Sequence, residues 1–216
     1  MGTYANTRFS NNLDGIIFDG VGKYDIPEIK PEKYEPIDFI GFNYARTHSK
    51  QTILDQRGVH FFVDDYQFER IWHNWKRYGK QLSSFDAVCT PDFSLYSDWP
   101  KAVQIFNHYR KHFIGAYLQW LGTKVYPTIA WSDADSFEWC FDGEPHNATV
   151  AVSSVGTQNS VDGRSLFLAG YNEMLKRLQP ETILFYGNVP EECTGNIIQI
   201  RPFYDKFTKG NQYVQH

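Results

Sequence analysis

Two aspartates directly follow apolar runs of the sequence, and they are the side chains with the clearest capacity for chemistry. Asp92 follows the run at residues 85–90, and Asp133 follows the run at residues 124–131. Two carboxyl groups on opposite sides of a cleft can act as general acid and general base, as in glycoside hydrolysis. The sequence therefore predicts Asp92 and Asp133 as a catalytic pair. The alternative role for each is the capping of a turn or helix.

Aromatic and acidic residues near these two positions extend the predicted site. Tyr96, Trp99 and Trp131 offer flat faces on which a sugar or a base could stack. If Asp64 joins Asp92 and Asp133, the three carboxylates could hold Mg²⁺. No other cofactor and no dedicated metal site is predicted.

The segment at residues 153–157 contains small hydroxyl residues and a glycine between a predicted strand and a predicted helix. Such a loop can present backbone N–H groups to a phosphate, although it lacks the GK[ST] of a Walker loop. An ordinary connecting loop is the alternative. Arg201 could pair with an anion or with the acids nearby. The predicted ligand-binding residues are Asn43, Asp64, Tyr96, Trp131, Ser154 and Arg201.

Two histidines lie four residues apart on the longest predicted helix, close enough to share a metal ion. The neighbouring basic residues favour a solvated helix face instead, which could contact phosphates or an acidic partner. This predicted basic face consists of Lys101, His108, Arg110, Lys111 and His112.

The elements that must position these residues alternate between strand and helix. Residues 85–131 read as a strand, a crossover helix from Pro100 to Leu121 and a second strand, a unit that lays two strands parallel. Spacings of three and four predict further helices at residues 66–83 and 166–178. The other predicted strands are residues 37–44, 59–63, 148–152, 182–186 and 196–200.

This alternation predicts an α/β fold with a parallel sheet buried on both faces. The crossovers and the absence of a Gly-rich dinucleotide turn favour an irregular or incomplete TIM-barrel-like fold, and a doubly wound open sheet is the alternative. Ligands of both architectures bind at the carboxyl ends of the strands. The predicted site residues all lie at such ends or in the loops that follow them.

Composition sets limits on partners and location. The 216 residues carry a net charge of −4, with no block of like charge, which argues against an electrostatic nucleic-acid binder. Three separated cysteines indicate reduced thiols, and no apolar run is long enough for a membrane span. We expect a cytoplasmic protein with no membrane contact. Its predicted domains are an irregular arm at residues 1–35, one α/β domain at 36–205 and a loose tail at 206–216.

Several segments resemble a known family. FVDDYQFERIW, TPDFSLYSDWP, QIFNHYRKHFIGAYLQWLG, KVYPTIAW, EWCFDG and AVSSVG occur here in an order similar to that in the bacterial and phage family called domain of unknown function 4417. The resemblance covers roughly residues 38–187 and implies a phage or mobile-element context, and hence a host-cell cytoplasm. It implies no catalytic residue.

Two classes of function remain open from the sequence, which leaves undecided whether the protein is an enzyme. The first is an accessory protein with a ligand pocket at the strand ends, directed at a nucleotide or a sugar and possessing hydrolytic chemistry. The second is a non-enzymatic phage protein that binds a host or phage protein, for counter-defence or replication. Nucleic-acid binding through the basic helix face is a further alternative.

Overall fold

The computed structural model describes residues 18–45 and 57–200. Within them, strands and helices alternate along most of the chain. The strands are β1 (Gly20–Val21), β2 (Ile26–Pro27), β3 (Phe39–Gly41), β4 (Gly58–His60), β5 (Ala87–Cys89), β6 (Val125–Tyr126), β7 (Thr149–Ser153), β8 (Thr182–Tyr186) and β9 (Ile197–Ile200). The helices are α1 (Phe42–Ala45), α2 (Asp65–Phe68), α3 (Arg70–His73), α4 (Trp75–Leu82), α5 (Lys101–Trp120) and α6 (Val161–Leu178), with a 3-10 helix at Ala134–Glu138.

Seven strands run parallel in the order of the sequence. Strands β3, β4, β5 and β6 form one sheet, and β7, β8 and β9 form another. The two sheets adjoin at a single parallel bridge between Thr128 and Ala151, just beyond Pro127, which cannot donate a ladder hydrogen bond. The prediction of an α/β fold with parallel strands is therefore confirmed.

The strand order is sequential, without the reversal typical of a doubly wound sheet. Among the described residues, β3 and β9 do not pair, so no closed barrel is formed. A cluster of buried side chains nevertheless joins the two sheets: Phe39, Phe62, Ala87, Cys89, Tyr126, Ala151, Leu184 and Ile200. Six of the seven parallel strands contribute to this cluster directly, and β4 does so through Phe62, two residues beyond its end.

Two further clusters lie between the sheets and the helices. One packs the first sheet against α1–α5, and the other packs the second sheet against α6 and the 3-10 helix. Strands β3 to β8 are buried along nearly their whole length because helices cover one face and the shared cluster covers the other, whereas only Ile200 of β9 is buried.

Helix α5 differs from its prediction in which side chains it buries. Its apolar spacing predicts Val103 and Phe106 inside, but these residues are 40% and 47% exposed. The helix is instead buried along most of residues 107–118. A Cβ atom on Gly115 would lie 2.5 Å from Ile29 Cδ1 and 2.7 Å from Thr90 Cγ2, so the N-terminal segment and the end of β5 both pack closely against the helix at this point.

The predicted helix at residues 66–83 is divided into three short helices. Glu69 separates α2 from α3, and Asn74, with φ −128° and ψ 38°, separates α3 from α4. Asp65 is the first residue of α2. The N-cap residue is Asp64, whose side chain makes no capping hydrogen bond. Other predicted strands are shorter than expected, and the strand predicted at residues 37–44 turns into α1 at Phe42.

The N-terminal segment is in contact with the α/β body. Residues 20–27 form the antiparallel hairpin β1–β2, and Ile26 and Ile29 are buried. The predicted tail at 206–216 and residues 1–17 of the predicted arm lie outside the described residues.

Candidate ligand-binding cleft

The carboxyl ends of the parallel strands surround an open cleft with two adjoining lobes. The Trp131 lobe, of about 380 Å³, lies between the segments after β5 and β6 and the start of α6. The Tyr186 lobe, of about 790 Å³, lies between the segments after β4, β5, β7 and β8. Both lobes share the lining residues Asp92, Ser94, Tyr96, Ser153, Val155 and Gly156. Residues that follow five different strands therefore meet in one cavity.

Asp92 lies where the two lobes meet. Its side chain is largely buried and accepts no hydrogen bond from any described residue. Burial and the charge of Asp65 raise the pKa of this carboxyl group to about 7, and the charge of Lys111 opposes the shift. At neutral pH the group is therefore divided between its protonated and ionised forms, as a general acid or base requires.

Asp65 and Ser94 form a hydrogen-bonded pair beside Asp92. The Ser94 hydroxyl donates to Asp65 Oδ1 at 2.8 Å, and the Ser94 backbone N–H donates to Asp65 Oδ2 at 3.0 Å. These bonds fix the start of α2 against the loop after β5. They also hold a negative charge near Asp92, which favours the protonated form of Asp92.

Aromatic side chains line both lobes. Tyr96 packs edge-to-face on Trp99, with ring centroids 4.8 Å apart, at the mouth of the Tyr186 lobe. Trp131 lies on the wall of the other lobe, 5.5 Å from the Phe167 ring. Its indole passes so close to α6 that a Cβ atom on Gly170 would lie 2.2 Å from the ring. Gly170 thus makes room for Trp131.

Strand β8 contributes a ring to the base of the cleft. Tyr186 stacks on Phe62 at 5.0 Å and lies 4.9 Å from His60, the buried last residue of β4. Burial lowers the pKa of His60 to about 4, so this imidazole is neutral near pH 7. Its Nδ1 accepts a hydrogen bond from the Phe62 N–H at 3.2 Å, which indicates a structural role.

The loop between β7 and α6 closes one side of the cleft. Ser153, Val155, Gly156 and Thr157 line it, and Gly156 has a φ of +81°, which favours glycine. Ser154 turns inward instead. It is 2% exposed, its hydroxyl donates to the Asn188 carbonyl oxygen at 2.6 Å, and it lines neither lobe.

The charge of the cleft has one sign. Asp64, Asp65 and Asp92 are its charged lining residues, and no lysine or arginine is among the described residues that line either lobe. The cleft is therefore unfavourable for a phosphate group. This charge argues against the anion site predicted for the 153–157 loop, which lines the same cleft.

The structure separates the two predicted catalytic residues. Asp133 lines neither lobe, and its carboxylate accepts a hydrogen bond from the Ser136 N–H at 3.0 Å as the N-cap of the 3-10 helix. Lys101 Nζ lies 3.9 Å from it. A catalytic role for Asp133 stays a prediction, but Asp65 is the carboxylate that acts on Asp92. The three acids named for Mg²⁺ do not all meet in this cleft, and Mg²⁺ binding likewise stays a prediction.

The other predicted ligand-binding residues have three different placements. Asp64, Tyr96 and Trp131 line the cleft, whereas Ser154 and Asn43 do not. Asn43 Oδ1 is buried and has no hydrogen-bond partner among the described residues. Arg201 lies outside the described residues.

Most of the predicted basic face of α5 is not exposed to solvent. His108, Arg110, Lys111 and His112 are all buried, and only Lys101 is exposed. The side chains find partners inside the protein: Arg110 pairs with Glu69, Lys111 with Glu144, and both histidines with backbone carbonyl oxygens. The segments around Pro27 and residues 139–144 cover this side of the helix, which the helix's own spacing could not reveal.

Sequence reasoning placed Asp65 among the residues at the strand ends without selecting it for the site, and it missed Ser94. Asp64 and Asp65 are adjacent acids after the same strand, and nothing in their order shows which one faces Asp92. The one available signal for Ser94 is its position two residues after Asp92, in the polar loop that follows β5.

A comparison with protein families matches residues 18–204 to the family described as "Domain of unknown function (DUF4417)". The chain belongs to the DUF4417 family. The resemblance predicted from the sequence is thereby confirmed, over a longer span than its motifs covered. Every residue named in the two lobes lies inside the matched range, so the cleft is part of the family domain.

Two phage proteins are similar to this DUF4417 chain. The Gene 1 protein of Mycobacterium phage D29 is 40% identical over 174 residues, which are 81% of this chain and 64% of that protein. The Gene 1 protein of Mycobacterium phage L5 is 38% identical over 199 residues, which are 92% of this chain and 86% of that protein. The chain therefore spans less than two thirds of the D29 relative.

No solved structure matches this member of the DUF4417 family. In the part of the chain described here, no helix has the length and apolar character needed to cross a membrane.

Proposed function

We propose that the cleft binds a neutral, ring-containing ligand that carries hydroxyl or amide groups, namely a sugar or a nucleoside. The observation that carries this proposal is the combination, in one cavity, of stacking faces from Tyr96 and Trp131 with the unpartnered carboxyl group of Asp92. Aromatic faces bind the apolar side of a ring, and a carboxyl group can accept or donate hydrogen bonds to its polar edge.

The charge of the cleft supports a ligand without phosphate. Near three carboxyl groups and without a basic lining residue, a phosphate would be repelled and would lose its hydration. The negative charge of the lining therefore narrows the expected ligand from a nucleotide or sugar to a nucleoside or an unphosphorylated sugar.

We also infer that the seven parallel strands form an incomplete TIM-like barrel. The sequential strand order and the buried cluster that joins the two sheets support this inference. In closed barrels of that kind, sites lie at the carboxyl ends of the strands, the position of this cleft.

Asp92 gives the cleft the capacity for hydrolysis of a glycosidic bond, which sugars and nucleosides share. The protonated Asp92 would transfer its proton to the leaving group as the bond from the anomeric carbon breaks. A water molecule would add to that carbon and return a proton to a carboxylate. A pKa of about 7 suits this exchange at neutral pH.

A binding experiment tests the proposal. We expect neutral sugars or nucleosides to raise Tm or to show saturation-transfer signals, and a nucleoside to bind at least about tenfold more tightly than its 5′-monophosphate. Trp131→Leu should abolish binding. Trp120→Leu is the matched control, because Trp120 is exposed on α5 outside the cleft. Tighter binding of the phosphorylated form, or no binding across the panel, would refute the proposal.

Turnover requires a separate measurement. With a bound ligand in hand, Asp92→Asn should retain binding and lose hydrolysis, because the amide cannot transfer the proton. Equal hydrolysis by the variant and the wild type would exclude Asp92 as the acid.

Binding of a host or phage protein is the alternative, and the exposed hydrophobic side chains bear on it. Of the nine large ones among the described residues, four line the cleft: Tyr66, Tyr96, Trp99 and Val155. Phe106 and Trp120 lie fourteen residues apart on α5, which is about 21 Å at the rise of an α-helix, so they form no common patch. A stoichiometric partner pulled down equally by wild type and Trp131→Leu would favour this alternative.

A further inference from the structure

Three side chains that commonly bind metal ions meet in the interior, away from the cleft. His108 and His112 lie one turn apart on α5, and Glu144 lies six residues after the end of the 3-10 helix. One ligand atom from each lies within 4.8 Å of the other two. All three residues are buried, with exposed fractions of 1%, 0% and 6%.

His108 has one buried ring nitrogen without a hydrogen-bond partner among the described residues. Its Nε2 lies 3.0 Å from the backbone oxygen of Asp142, and a carbonyl oxygen only accepts, so Nε2 carries the proton. A second proton on Nδ1 would be buried without an acceptor, so the imidazole is neutral. Nδ1 then holds a lone pair, and it is buried without any hydrogen-bond partner.

His112 has a related arrangement. Its Nδ1 lies 2.8 Å from the Pro27 carbonyl oxygen and donates to it. Its Nε2 lies 2.9 Å from Glu144 Oε1, and both atoms carry a lone pair when the imidazole is neutral. That contact is repulsive unless a proton or a metal ion lies between the two atoms.

One carboxylate oxygen of Glu144 has no hydrogen-bond partner in the described part of the chain. Lys111 Nζ donates to Oε1 at 2.6 Å and to the Thr128 carbonyl oxygen at 2.8 Å. Oε2 is buried and has no partner. Unpartnered buried polar atoms are rare in proteins, and here two of them, on His108 and Glu144, belong to one cluster.

We propose that His108 Nδ1, His112 Nε2 and the Glu144 carboxylate bind one divalent transition-metal ion, with Zn²⁺ as the best match. Two imidazoles and one carboxylate form a frequent zinc ligand set, with bonds of about 2.0–2.2 Å. In each histidine the other nitrogen donates to a backbone carbonyl oxygen, which is how protein zinc sites fix the ligating tautomer.

The position of the site indicates a structural role. The ligands and their hydrogen bonds connect α5 to the segment at residues 142–144 and to the end of β2. None of the three ligands lines the cleft. A bound ion would hold together the elements that enclose α5, independently of any ligand bound in the cleft.

Metal analysis of the purified full chain tests the proposal. We expect about one Zn²⁺ per chain after desalting, a lower Tm after chelation and recovery of Tm with added Zn²⁺. Co²⁺ added to the metal-free chain should give the visible absorption of a tetrahedral site. No retained metal, together with no effect of Zn²⁺ on Tm and no Co²⁺ spectrum, would overturn the proposal in favour of a metal-free ion-pair network.

Variants separate a metal ligand from a buried polar residue. His108→Gln should weaken Zn²⁺ binding at least about tenfold. His60→Gln is the matched control, a second buried histidine that should lower Tm without changing the metal content. Equal Zn²⁺ affinity of His108→Gln and the wild type would exclude the assigned ligand.

Lys111 provides a further distinction, because its ammonium group competes with a metal ion for Glu144. Lys111→Met should bind Zn²⁺ as tightly as the wild type or more tightly. A loss of Zn²⁺ binding in a folded Lys111→Met chain would contradict the proposed geometry. The wild-type metal content and the Co²⁺ spectrum decide the question even if a variant fails to fold.

Discussion

Asp92 combines three properties that rarely occur together in a folded protein. The carboxyl group is largely removed from water, yet it accepts no hydrogen bond from the described residues, and it lies beside a second carboxylate, Asp65. Each of these conditions disfavours the ionised form. Perturbed carboxyl groups in clefts are candidates for function because structure alone gains nothing from them.

The free energy of unfolding should depend on pH through Asp92. Its pKa is about 7 in the folded chain against an ordinary value of 3.8, so the folded chain binds more protons between these values. Stability therefore falls as the pH rises from about 4 to about 7 and is constant above that. Asp92→Asn should remove this dependence and, at pH 8, stabilise the chain by about 1–2 kcal/mol. Urea unfolding at pH 5 and pH 8 measures the effect.

Asp98→Asn is the control for this prediction, because Asp98 is exposed in the same loop and outside both lobes. The groups that face Asp92 are Asp65, Lys111 and the Cys89 thiol, whose pKa is raised by burial and by Asp92 itself. A pH profile of Asp92→Asn identical to that of the wild type would show that Asp92 ionises normally.

At the scale of the elements, the cleft depends on how closely helix α6 approaches the segment after β6. Gly170 lies in the middle of α6 and is buried, although glycine weakens a helix. The Trp131 indole occupies the space that a side chain would take. Gly170 therefore lowers the intrinsic stability of the helix but leaves room for Trp131, one of the two rings proposed to bind the ligand.

Gly170→Ala should displace Trp131 although alanine is the better helix former. The new methyl group would lie 2.2 Å from the indole, so the ring must move toward the cleft. We expect weaker ligand binding and a net loss of about 1–2 kcal/mol, since overpacking outweighs the gain in helix propensity. Isothermal titration and urea unfolding measure the two effects.

Ser165→Ala, at an exposed position of the same helix, is the matched control. It should change stability by less than about 0.5 kcal/mol and leave binding intact. Stabilisation of the chain by Gly170→Ala, with unchanged binding, would contradict the close approach of Trp131.

At the scale of the whole molecule, two parallel sheets behave as one body because they share a core and a seam. The seam lies at Thr128, which is held in place by Thr90 of the same sheet. The Thr128 N–H donates to Thr90 Oγ1 at 2.8 Å, and Thr128 Oγ1 donates to the Thr90 carbonyl oxygen at 2.9 Å. Thr128 also bridges to Ala151 in the second sheet. The strand ends that form the cleft are held in register across this seam.

Thr90→Val should destabilise the chain by about 1–3 kcal/mol, because it leaves the buried Thr128 N–H without an acceptor. Unfolding should remain a single transition by tryptophan fluorescence and by circular dichroism, since the shared cluster couples the sheets. Two separate transitions would show that the sheets unfold independently.

Thr149→Val provides the matched control for the seam. Thr149 is also a buried threonine, at the start of β7, but its Oγ1 has no hydrogen-bond partner among the described residues. Its replacement should be neutral or stabilising. A loss as large as that of Thr90→Val would mean that the hydrogen bond to Thr128 is not the cause.

The amino-acid sequence by itself determined the local elements and their order. Strand β8 occupies residues 182–186 as predicted, and α5 begins after Pro100 and ends just before Gly122. It also determined that acids and rings would follow the strands, and it identified the family. These features depend on periodicity, turn residues and motifs, which act over a few neighbouring positions.

Only the tertiary structure decided which of those residues meet. It brought Asp65 rather than Asp64 or Asp133 to act on Asp92, and it enclosed His108, Lys111 and His112 of the apparently basic helix face. The partners of these side chains are distant in the sequence: Ser94 for Asp65, Glu144 for Lys111 and Pro27 for His112. Helix spacing describes which residues share a face, but what covers that face is set by segments packed from elsewhere in the chain, so burial and charge could not be inferred from the local pattern.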